Sequence, residues 1–116
     1  MSLFAIADLH LSLGTNKPMD AFPGWNGYVR RLEDNWRRLV ADGDTVVVAG
    51  DVSWGMSLEQ AGADLAFLHS LPGRKILMKG NHDYWWTTRR KMDAYLEEHG
   101  LTSVSILHND AYTVDD

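Results

Sequence analysis

The chain has 116 residues, five histidines, no cysteine and a formal charge of −5 at pH 7. That length suits one domain with a real hydrophobic core, and 45% hydrophobic with 23% charged residues excludes a disordered chain. With no cysteine there is no disulfide framework and no thiolate site, so any metal must be held by oxygen and imidazole nitrogen.

Leu3 to Ala7 is a continuous apolar run ending at Asp8, which predicts a buried strand. A loop of roughly 20 residues follows, carrying Pro18, Pro23, Gly24 and Trp25, and loops that long in a compact domain are often functional. From Tyr28 to Ala41 the apolar residues 28, 29, 32, 36, 39 and 40 trace a helical stripe, with basic residues on the other side. Thr45 to Ala49 is the clearest strand, rich in β-branched residues and bounded by Gly43 and Gly50. Ser57 with Gln60 forms a candidate capping box, followed by Leu58, Ala61, Leu65 and Leu68 at helical spacing, and Pro72-Gly73 stops that helix. Lys75 to Met78 predicts a third strand ending at Gly80. A third helix spans about Thr87 to His99, with Met92, Tyr95 and Leu96 facing inward and Gly100 as its stop. Ser103 to Leu107 predicts a fourth strand, and Ala111 to Val114 starts a fifth. Strands alternating with helices imply an α/β domain, a mostly parallel sheet joined by right-handed crossovers with flanking helices.

In a parallel sheet the strand C-termini share one edge, and ligands bind there. The first strand ends in Asp8-Leu9-His10, the second in Gly50-Asp51, the third in Gly80-Asn81-His82-Asp83. Carboxylates, two imidazoles and an amide therefore converge on one edge, a donor set suited to Mn²⁺, Fe or Zn²⁺. Side chains at i and i+2 of an extended segment project to one side, so Asp8 and His10 could reach one cation. Taken singly these motifs differ in weight. Asp-x-His is expected by composition roughly 0.5 times in such a chain, and Gly-Asp recurs at Gly43-Asp44 as an ordinary turn. Gly80-Asn81-His82-Asp83 is expected only about 0.002 times. The constellation at successive strand ends is the signal.

In order and spacing, these three motifs resemble the first three motifs of the calcineurin-like metallophosphoesterase superfamily. Lys17 to Asp20, Gly50 to Trp54 and Asn81 to Trp86 further resemble a bacterial branch of predicted phosphohydrolases. The resemblance implies that Asp8 and His10 ligate a first metal, that Asp51 bridges two, and that Asn81 ligates the second through its amide oxygen. His82 would stand near the scissile phosphate as general acid or electrostatic stabiliser, with Asp83 orienting its ring. The implied reaction is hydrolysis of a phosphomono- or diester by water activated on two divalent cations, with Mn²⁺ preferred over Fe and Zn²⁺. The histidine motifs that the family carries later are missing here, where only His99 and His108 follow. Members are roughly twice as long and form a four-layer α/β/β/α sandwich. By that comparison residues 1–116 read as the N-terminal portion of such a domain, truncated, with a sheet face left for a second copy or for the missing half.

Other residues read more simply. Trp54, Tyr84, Trp85 and Trp86 could wall a substrate site or pack the loops, and packing is favoured. Arg30-Arg31 and Arg37-Arg38 read as a solvated helix face, Lys17 as surface, and His69 and His99 as structural. Arg89-Arg90-Lys91, opening the third helix against its dipole, is a modest hint of phosphate contact. His108 could reach the strand edge as a further ligand. No apolar run reaches the roughly 18 residues of a membrane span and no basic n-region opens the chain, which predicts a cytoplasmic protein. The acidic balance argues against a duplex-DNA binder, though bound cations could still admit a phosphate-ester substrate. Two rivals remain at this point. One is a catalytically incomplete metal-binding fragment acting as a structural or partner-binding domain. The other is a flavodoxin-like or response-regulator module, which leaves Asn81-His82-Asp83 without a role.

Overall fold

The computed structural model describes residues 2–11 and 28–107. The element order is β1 (Leu3–Ile6), α1 (Tyr28–Leu39), β2 (Thr45–Ala49), α2 (Leu58–Ser70), β3 (Arg74–Met78), α3 (Arg89–Glu98) and β4 (Val104–Ile106). All strand pairs are parallel, in the order β1-β2-β3-β4. Every described element is of the type and order that the sequence predicts. The long first loop beyond Leu11, the fifth strand and His108 lie outside the described residues, as do Lys17 and Trp25.

The ladder register fixes which side chains share a face. Phe4, Val46, Lys75 and Val104 are linked through Phe4↔Val46, Val46↔Lys75 and Lys75↔Val104; the row Ile6, Val48, Leu77 and Ile106 lies two residues on. Right-handed crossovers between successive neighbours carry each helix to the same side of such a sheet. The core forms there: Val46, Val48, Leu77, Val104 and Ile106 are buried with Trp36 and Val40, Leu65 and Leu68, and Met92 and Leu96. The other face carries Leu3, Ala5, Val47, Ala49, Ile76 and Met78. There Leu3 is 58% and Met78 38% exposed, and Ala5 and Ala49 are exposed too. The first strand is therefore half exposed, in contrast to the buried strand expected from its apolar run. Among the described residues it stands at a sheet edge, with helices on only one face.

Helix ends follow their sequence signals. The Ser57 hydroxyl accepts from the Gln60 N–H at 3.2 Å, while the Gln60 side chain reaches one residue further back, to the Met56 N–H at 2.8 Å. Thr88 caps α3 by accepting from the Lys91 N–H at 3.3 Å. The turn from α2 to β3 is held by donors from elsewhere in the fold. Lys75, with no exposed surface, donates from Nζ to the carbonyls of Leu71 at 2.5 Å and Gly73 at 2.6 Å. Trp36 Nε1 donates to the Pro72 carbonyl at 2.9 Å. The Leu71 carbonyl is one that the end of α2 would otherwise leave unsatisfied, and the other two belong to the turn beyond it.

Candidate metal centre at the strand ends

Beyond their last regular residues, β1 and β2 stay knitted together. The Asp8 N–H donates to the Gly50 carbonyl at 3.1 Å, His10 to Asp51 at 3.0 Å, Leu11 to Val52 at 3.0 Å, and Trp54 back to Leu11 at 2.8 Å. Along this seam Asp8, His10 and Asp51 take left-handed backbone conformations, with φ of 58°, 48° and 49°. Among the described residues these are all the non-glycine positive-φ positions. Such a conformation costs a non-glycine residue on the order of 1–3 kcal/mol and persists where the surroundings enforce it. Here the cross-strand bonds do so, together with the Tyr28 hydroxyl, which donates to the His10 carbonyl at 2.7 Å. In an extended segment Asp8 and His10 would project to one side. The structure brings them together by two left-handed turns instead.

The result is a donor cluster. One ligand atom from each of Asp8, His10 and Asp51 lies within 4.8 Å of the others. Two donors on one cation at about 2.1 Å stand at most about 4.2 Å apart, so a small closure suffices for all three to share an ion. Two carboxylates and an imidazole fit a hard or borderline divalent cation. Asp8 is exposed and the other two half-buried, so the cluster opens to solvent.

His82 leans on the same cluster. Its backbone N–H donates to Asp51 Oδ1 at 2.9 Å, and its ring Nδ1 lies 3.1 Å from Oδ2. Burial pushes the Asp51 carboxyl up, but the bonds from His82 and the charges of His82 and His10 outweigh it and hold the group below its ordinary value. Asn81, the expected donor to a second cation, is exposed in the turn after β3. Glycines make this closeness possible. A Cβ on Gly80 would collide with the Asp51 backbone nitrogen and Oδ1, and one on Gly50 would sit 2.8 Å from the Gly80 Cα.

The role expected for Asp83 needs correction. Its side chain does not orient the His82 ring, which meets Asp51 instead. Asp83 is 1% exposed. Its Oδ1 accepts from the N–H groups of Val52 at 2.8 Å and Ser53 at 3.2 Å and from Trp85 Nε1 at 3.0 Å, and its Oδ2 accepts from the Gly80 N–H at 2.7 Å. Buried N–H groups must be paired, and this carboxylate pairs those of both ligand turns at once. Asp83 is thus a positioning residue, fastening the turn after β3 to the turn after β2.

Aromatic rings continue outward from the cluster. Trp54 stacks on His10 with centroids 5.3 Å apart and planes at 25°, and lies 5.5 Å from the His82 ring. Tyr84 meets His82 edge-on at 6.3 Å. Trp85, 2% exposed, belongs to the core as the packing argument predicts. Trp54 is the residue that sequence reasoning undervalued, although its place three residues after Asp51 put it near the site. Among the described residues, His69, His99, Arg37 and Arg89 are engaged elsewhere. His69 Nδ1 is 2.8 Å from the Ser103 hydroxyl, and His99 stacks on Tyr95 at 4.0 Å. Arg89 reaches Asp93 at 3.4 Å and Arg37 reaches Glu33 at 3.0 Å, both on exposed helix faces.

Fold and site define a class: a parallel α/β protein with a metal-competent acidic and imidazole cluster at the C-terminal edge of its sheet. The family model for calcineurin-like phosphoesterases matches residues 1–114, and the chain belongs to that family. No curated protein matches it. A solved structure, a protein of unknown function from Aquifex aeolicus, is similar in fold, with a TM-score of 0.56 at 24% identity. The similarity covers 82% of this chain and 49% of that one, so the chain spans about half the length of that relative.

Proposed function

We propose that this chain is the metal-holding part of a divalent-cation-dependent phosphohydrolase acting on phosphomono- or diesters. The observation that carries the reading is the convergence of Asp8, His10 and Asp51 within 4.8 Å, in a member of the calcineurin-like phosphoesterase family. Asp8, His10 and Asp51 would hold one cation, and Asp51 with the amide oxygen of Asn81 would serve a second. When bound, such cations neutralise phosphate oxygens and lower the pKa of an attacking water, with Mn²⁺ the metal we assign first. The neutral Asn81 adds an oxygen donor without adding charge that would repel phosphate. His82, exposed and anchored through Asp51, donates a proton to the departing alkoxide, a role that imidazole fills near neutral pH. Asp83 acts through the backbone, keeping Gly80 and Val52 in register so that Asp51 and His82 meet. Residues 1–116 are, in this reading, the N-terminal portion of the domain. A second copy or the rest of the sandwich covers the sheet face of Leu3, Ala5, Ala49 and Met78. The cytoplasm is the compartment we assign, on the sequence reading alone.

The test is turnover of bis(4-nitrophenyl) phosphate by the purified chain, with Mn²⁺ and then with chelator, beside His82→Ala. Activity that needs both Mn²⁺ and His82 supports the hydrolase. Activity equal to that of His82→Ala and insensitive to chelator refutes it. A second reading, a metal-binding piece that turns nothing over, is favoured by one observation. Among the described residues, Asp8, His10 and Asp51 form the one His, Cys, Asp and Glu group placed to hold a metal. His69 and His99 are engaged elsewhere. Mn²⁺ binding without any turnover selects that alternative.

A further inference from the structure

A second concave feature adjoins the cluster. Met56, Ser57, Leu58 and Glu59, ahead of and opening α2, face Tyr84 to Thr87, between β3 and α3, across an open cleft of about 360 Å³. That volume is at the lower end of the range for small-molecule sites. Its wall connects directly to the reacting end, because Tyr84 both lines the cleft and meets the His82 ring edge-on. Two large apolar side chains sit on it in contact with water, Met56 and Tyr84, each 54% exposed. In the interior a ring or a thioether packs; left exposed at the lip of a concavity, both offer faces to a flat apolar guest. The charge on the cleft is negative, from Glu59, so it repels a second phosphate and admits a neutral group, with a carboxylate ready to accept from a ring N–H.

We propose that this cleft is the subsite for the organic group of the phosphoester, and that it selects a planar aromatic ring stacked against Tyr84. The inference rests on the phosphohydrolase reading and adds the substrate class. With the phosphate over Asp8, His10 and Asp51, the leaving oxygen points past His82, and the ring it carries reaches Tyr84 and Met56. The proton donor thus stands between the two subsites.

The test reads binding, without turnover. Phenylphosphonate, methylphosphonate and inorganic phosphate are titrated calorimetrically into the chain in Mn²⁺, for the wild type, Tyr84→Ala and Tyr84→Phe. The wild type is expected to bind phenylphosphonate about tenfold more tightly than methylphosphonate, a typical gain for one stacked ring. Tyr84→Ala should reduce that ratio to about one to threefold while leaving the Kd for phosphate unchanged, and Tyr84→Phe should restore it. Equal affinities for the two phosphonates in the wild type, or a preference that survives Tyr84→Ala, overturn the subsite alone. If none of the three ligands binds, the phosphohydrolase reading falls and the subsite falls with it.

Discussion

The carboxylate of Asp83 accepts a hydrogen bond from the Val52 N–H at 2.8 Å, across 31 positions of sequence. Through that bond and its companions to Ser53, Gly80 and Trp85, one buried anion holds together the turns that present Asp51 and His82. The site is therefore built in two layers, an open cluster of donors and a closed brace beneath it.

The two layers should separate by mutation. Asp83→Asn replaces one acceptor oxygen with an NH₂ that faces N–H donors, and should cost about 2–4 kcal/mol of stability in urea unfolding. His82→Ala, at an exposed position, should cost within about 0.5 kcal/mol. Equal stabilities for the two variants would contradict the brace.

The close approach of Gly80 to Asp51 gives a second expectation. Gly80→Ala places a methyl group against the Asp51 backbone nitrogen and Oδ1, displacing the carboxylate shared by the cluster and His82. Affinity for Mn²⁺ should fall about 10- to 100-fold, the usual range for disturbing groups that orient ligands. Gly43→Ala, with nothing within 4 Å of the added methyl, should bind Mn²⁺ as the wild type does. Unchanged binding by Gly80→Ala would show that the contact relaxes without moving Asp51.

Much of this architecture is legible in the sequence, and the exceptions share a cause. Thr45 to Ala49 and the helix after Ser57 follow from β-branching and a cap, which are local signals. The motifs at the ends of β1, β2 and β3 follow from the parallel-sheet rule. The bracing role of Asp83 is not legible because its neighbour in sequence is His82, whereas its partners in space include the Val52 and Ser53 N–H groups of another turn. The half-exposed β1 is not legible because an apolar run does not reveal which sheet face the helices cover. In the sequence Lys75 is simply the first residue of the predicted third strand. Its burial appears once the register sets it beside Val46, on the side that faces the helices.

Lys75 carries a pH signature. Burial lowers its pKa from the ordinary 10.5 to about 8, against the pull of Asp42 and with a small push from Arg74. Below pH 8 the ammonium is charged in both folded and unfolded chains. Between about 8 and 10.5 the unfolded chain holds more proton, so this group's contribution to stability rises with pH through that window. Lys75→Met removes the donor to Leu71 and Gly73 and should destabilise the fold by about 1–3 kcal/mol at pH 7. The gap between variant and wild type should then widen as pH rises from 8 to 10. Chemical denaturation at pH 7, 8, 9 and 10 checks this, and a gap that is constant or narrows would contradict the assignment.

Asp8, His10 and Asp51 are placed to share one divalent cation. Electron paramagnetic resonance of free Mn²⁺, titrated against the wild type, Asp51→Asn and Asp93→Asn, tests it most directly. Asp51→Asn should weaken binding at least tenfold, while Asp93→Asn, an exposed carboxylate paired with Arg89 on α3, should leave it unchanged. If Asp51→Asn takes up Mn²⁺ as the wild type does, the three left-handed turns do not form a metal site.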